Sequence, residues 1–176
     1  MIRYRALLVS LVLAQPGQAA LKAQYKWGYL GPEGQGHGTM SVLVAEPSEQ
    51  VVIELQGMGE RIMLLSGDRT SGYRLQIPRQ GVDLQRPDLA ALPMPLLPEV
   101  ENAKGLENLL RQGTTPGVSV TNRDSEGPIK LHYSGKNGKG EEVEVWLTRT
   151  RWEKKPPVDN NPSPPSDQSM QAAGRH

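Results

Sequence analysis

From Thr39 to Glu153 apolar side chains recur at every second position far more often than at helical spacing, the pattern of strands with one buried and one wet face. Thr39 to Ala45 places Met40, Val42 and Val44 on one face, and Gln50 to Gln56 does the same for Val51, Ile53 and Leu55. After the Gly57 to Glu60 turn, Arg61 to Ser66 sets Met63 and Leu65 against Ile62 and Leu64, which predicts a strand buried on both sides. Tyr73, Leu75 and Ile77 alternate with Arg74 and Gln76 until Pro78 stops the strand, and Val82 to Gln85 extends the meander.

The period then changes. Asn102 to Gln112 lines Ala103, Leu106, Leu109 and Leu110 along one helical stripe, with Asn102 as N-cap and Gly113 as the stop. Val118 and Val120 return to alternation. Ile129, Leu131 and Tyr133 follow, and after the glycine-rich Gly135 to Gly140 comes a last strand with Val143, Val145 and Leu147 on one face and Glu142, Glu144, Trp146 and Thr148 on the other. The predicted fold class is mainly β: an antiparallel curved sheet, half of a barrel, with a short helical insertion that either fills the concave face or lids it.

The two ends lack this pattern. Arg3 and Arg5 precede the apolar run Ala6 to Ala14 and the small residues Ala19 and Ala20, the layout of a cleaved secretory signal peptide over residues 1–20. The run is too short to span a bilayer, so the expectation is export to the periplasm with no transmembrane segment left after cleavage. Residues 21–38 read as a flexible N-terminal segment, 39–153 as the half-barrel domain, and 154–176, with its many prolines, as a disordered tail.

Composition narrows the chemistry. Cys 0 excludes disulfides, cysteine nucleophiles and a lipid anchor on a lipobox cysteine. A formal charge of +1 gives no basic field for nucleic acid. His37, His132 and His176 lie in separate segments, so neither a metal site nor a cofactor is predicted. No nucleophile elbow, phosphate loop, zinc-protease or dinucleotide motif occurs, and no catalytic residue is assigned. Lys136 and Lys139 read as a hairpin tip, and Arg149, Arg151, Trp152, Lys154 and Lys155 as a basic cluster beside a core-closing tryptophan.

The most unusual stretch is Leu92-Pro93-Met94-Pro95-Leu96-Leu97-Pro98, whose three prolines forbid both helix and ladder while every other side chain is large and apolar. It must be buried as irregular chain or kept for a partner. The strands from Thr39 to Ile77, this Leu92 to Leu97 segment and the Ile129 to Trp152 hairpin together resemble the lipoprotein carrier and receptor superfamily of the Gram-negative envelope, the LolA and LolB half-barrels. The resemblance is one of layout, covering about two thirds of the expected mature chain. It implies that the concave face bearing Val42, Val44, Ile53, Leu55, Leu75 and Ile77 binds a lipid acyl chain or a lipidated protein. The covering segments then supply a lid of Met94, Leu96, Leu97, Leu106, Leu109 and Leu110. The LolB type is anchored through a cysteine that this chain lacks.

The expected function is thus a carrier or chaperone in envelope lipid or lipoprotein trafficking. The alternative is a structural or protein-interaction module of the envelope, recruiting an envelope protein partner, with a core filled by its own side chains. The interior separates them: a hollow opening near Met94 speaks for carriage, and a filled interior with no opening there removes the carrier reading.

Overall fold

The computed structural model describes residues 19–94, 97–98, 100–137 and 140–155. The chain forms β1 (Ala19–Gly31), β2 (Gly34–Glu46), β3 (Gln50–Gly57), β4 (Glu60–Asp68), β5 (Gly72–Ile77), β6 (Val82–Arg86), α1 (Ala103–Gln112), β7 (Val118–Asp124), β8 (Gly127–Lys136) and β9 (Glu142–Lys155). The strands make one antiparallel sheet in the order β6-β5-β4-β3-β2-β1-β9-β8-β7, not closed into a barrel. The expected mainly β fold with a short helical insertion is the fold observed.

The sheet's order sets the path of the rest. From β1 the chain steps outward hairpin by hairpin to the β6 edge, then reappears at the opposite edge as β7 and returns to pair β9 with β1. Residues 87–117 must therefore cross a whole face of the sheet. Within them lie a 3-10 turn at Leu89–Ala91, the proline-rich stretch and α1. The helix starts and stops where its capping residues dictate: the Asn102 side chain accepts from the Gly105 N–H, and Gly113, at φ 65, donates its N–H to Leu109 O.

The segment 21–38 is a correction. It is not flexible but forms most of β1 and the start of β2, two of the longest strands, paired from Ala19↔Glu46 to Gly31↔Gly34. Its inward residues Leu21, Ala23, Tyr25 and Trp27 alternate with Lys22, Gln24 and Lys26. Five glycines between Gly28 and Gly38 disguise the alternation as loop. Gly38 is required by contact, since a Cβ there would lie 1.8 Å from Gln56 O. The Trp27 indole N–H donates to Thr39 O at 3.1 Å and Gln56 O at 3.2 Å, closing that end of the sheet. The sheet also runs to Lys155, slightly past the expected boundary. The third predicted strand is more one-sided than expected: Met63 and Leu65 are buried, while Ile62 and Leu64 are half-buried.

Candidate functional site

The face expected to hold a ligand is the core of the molecule. Val42, Val44, Ile53, Leu55, Leu75 and Ile77 are all buried, at 7% exposure or less, and belong to one apolar cluster with Met94, Leu97, Leu106, Leu109 and Leu110. The predicted wall and the described part of the predicted cover therefore meet. Leu96 lies outside the described residues. Leu89, Leu92, Val100 and Ala103 join the same cluster from the crossing segment.

Wall and cover meet closely among the described residues. The gap found between them, bounded by Leu97, Pro98, Leu109, Val118, Leu131, Tyr133, Val145 and Leu147, is about 10 Å³. Small-molecule sites occupy roughly 300–1,000 Å³ and even one water needs ~10–15 Å³ with polar partners. The helix fills the concave face rather than roofing an empty one.

How the cover is attached matters as much as how tightly it packs. Backbone hydrogen bonds of the described crossing residues stay within the segment, such as Ala91 N to Asp88 O, Leu92 N to Leu89 O and Leu106 N to Asn102 O. None joins a described residue of 89–112 to a strand. Its polar ties to the sheet are side-chain contacts: Arg123 donates to Gln112 O, and Lys104 Nζ lies 3.8 Å from Glu46 at the surface. The cover is held by apolar packing and carries no ladder.

A polar cluster flanks the helix. Arg149 on β9 is inward-facing, its side chain 5% exposed, with its guanidinium 5.1 Å from the Trp152 ring centroid; Arg111 of α1 lies over the same ring at 5.9 Å. Arg149 pairs with Asp124 at the end of β7 and lies 3.9 Å from Glu126 in the β7–β8 turn. The hydrogen bond from Arg149 holds the Asp124 carboxyl below its ordinary value. Opposite Arg149, Tyr25 is 1% exposed, and burial pushes its hydroxyl pKa well up, partly countered by the Arg149 charge. Sequence reasoning missed Tyr25 because its segment read as loop, although the Leu21-Ala23-Tyr25-Trp27 alternation was there to be used. Trp152 packs partly buried against the core, as expected of a strand-end tryptophan.

The convex face carries a groove of about 460 Å³ floored by half-buried Leu43, Val52 and Leu64 and rimmed by Lys22, Glu54, Arg61, Arg151 and Glu153. Its charges largely satisfy one another: Arg61 bonds Glu54 at 3.0 Å, and Arg151 pairs with Glu153. His37 lies in β2 rather than a loop. His132 stacks on Trp146 with ring centroids 5.2 Å apart and meets Glu144 at 3.3 Å, so it is absorbed by a surface contact. Lys139 and the proline-rich residues 156–176 lie outside the described residues.

These features define a class: an open antiparallel half-barrel whose concave side is covered by its own chain. No known family model matches the sequence, and no curated protein is significantly similar to it. No helix among the described residues is long and apolar enough to cross a membrane.

Proposed function

We propose that the protein is a non-catalytic binding module of the bacterial envelope, exported by its N-terminal signal, that takes an acyl chain or a lipidated protein by exchanging it for its own cover. The observation that carries this is the cover's attachment: an apolar strap laid on an apolar wall with no backbone bond between them among the described residues. Lifting such a strap breaks no ladder, and an acyl chain returns the same kind of contact. The layout's resemblance to the LolA and LolB half-barrels supports the same reading. The close packing of wall against cover speaks against carriage in a preformed hollow.

Native mass spectrometry of the protein purified from periplasmic extract tests the proposal. A copurified acyl species, displaced by added lipid, is the expected result. A clean apo mass that stays unchanged when acyl ligand is titrated in would overturn it. The filled core favours the second reading, a self-filled interaction module, for which that apo mass is the expected result.

A further inference from the structure

A well-filled core satisfies its polar atoms, and among the described residues two buried side-chain atoms have no partner: the Tyr25 hydroxyl and Nη1 of Arg149. Tyr25 on β1 and Arg149 on β9 are direct cross-strand partners, at the point where the register between these strands shifts. Both side chains are more than nine-tenths buried, and the Arg149 charge is felt at the phenol.

Their chemistry restricts what could satisfy them. The Nη2 side of the guanidinium is engaged by Asp124 and Glu126, and Trp152 lies beside the group, so Arg149 is fixed and its charge already balanced. A further anion gains little there. What remains is an N–H donor from Arg149 and the Tyr25 hydroxyl, which bonds neither Arg149 nor any other described group. Cations cannot serve, and a bare hydrocarbon leaves both donors unpaired. A carbonyl oxygen, with two lone pairs and no charge, matches both.

We propose that Tyr25 and Arg149 form the polar end of the acyl site, receiving the carbonyl oxygen by which an ester- or amide-linked acyl chain is joined to its carrier. This rests on the exchange reading above. The carbonyl is the one polar landmark common to acyl lipids and acylated proteins, so one donor pair fixes how deep the chain sits for either cargo.

The test compares methyl laurate, N-methyl lauramide and dodecyl methyl ether by displacement of a bound fluorescent fatty-acid probe from the whole protein, wild type and Tyr25→Phe. The expected result is that wild type binds the ester or the amide about tenfold tighter than the ether. Tyr25→Phe removes most of that preference, binds the ether as before and melts no lower than wild type, since it deletes an unpaired hydroxyl. Preference for the ester points to a glycerolipid source, and preference for the amide to an acylated protein. If wild type binds all three equally, the pair does not read a carbonyl and this inference fails while acyl binding stands. If none binds, the acyl reading fails and takes the inference with it. Should Tyr25→Phe not fold, the wild-type ratio of carbonyl to ether still decides.

Discussion

Truncating the cover should tighten ligand binding while weakening the fold, the opposite of what truncating a pocket wall does. Eight large apolar side chains of the described cover, including Leu89, Leu92, Met94, Leu106 and Leu109, are buried. At roughly 1.5–3 kcal/mol each, their burial is worth about 12–24 kcal/mol. A whole domain is stable by only ~5–15 kcal/mol. The strap therefore cannot lift into water and wait, and its departure must be coupled to arrival of the ligand. Leu109, 2% exposed and beside the small gap, is the site to perturb. Leu109→Ala should cost about 2–5 kcal/mol of folding stability. If ligand displaces Leu109, that cost falls on the apo form alone, so even 2 kcal/mol appears as a roughly 30-fold gain in affinity. Urea unfolding gives the first number, and displacement of a fluorescent fatty acid gives the second. A destabilised variant whose affinity is unchanged or weaker would refute cover exchange.

Other substitutions check the physical account more locally. Asn102→Ala removes the N-cap of α1 and should lower stability by about 0.5–2 kcal/mol, read as a shift of the urea midpoint. Leu55→Glu places an unpaired carboxylate in the core at a residue 1% exposed, so it should prevent folding rather than only empty a binding face; a native near-UV circular dichroism spectrum would contradict this. The Asp124 carboxyl is held below its ordinary value of 3.8, chiefly by Arg149, so its pairing contributes stability above that pH and loses it as pH falls through the lowered folded value. Asp124→Asn should accordingly melt lower than wild type at pH 7, with the difference closing toward pH 2; a gap that stays constant with pH would show that this ion pair does not contribute.

The sheet was legible in the sequence wherever polar and apolar residues alternate without glycine between them. From Met40 to Ile77 and from Leu131 to Leu147 the period-two pattern picks out side chains that are buried in the fold. The helix was legible to the residue, because Asn102 and Gly113 mark its ends by backbone chemistry that acts locally. The β1–β2 hairpin was not, since its glycines serve close approaches such as that of Gly38 to Gln56, visible only once β2 and β3 lie side by side. The candidate face was legible as a set of residues but not as filled or empty. Whether Leu106 and Leu109 touch the wall or stand off it depends on the path of residues 87–117, and no periodicity encodes that path. The Tyr25–Arg149 pair was hidden for the same reason, because the β1–β9 register brings together residues from opposite ends of the chain.

That path also shapes how a ligand could enter. The cover leaves the β6 edge and arrives at the β7 edge, so it is tethered on both sides of the sheet and cannot swing away like a door hinged at one end. A strap tied at both edges can only rise or slide. The small gap lies toward the β7–β9 side, bounded by Val118, Leu131, Tyr133, Val145 and Leu147. Arg149 and Tyr25 lie on β9 and β1, next to that side and under the sheet's middle strands. On the exchange reading, an acyl chain entering by the β7–β9 side starts on the half of the sheet that carries Tyr25 and Arg149. On that reading polar recognition and entry would fall on the same half of the sheet, so that exchange could begin without the whole cover leaving at once.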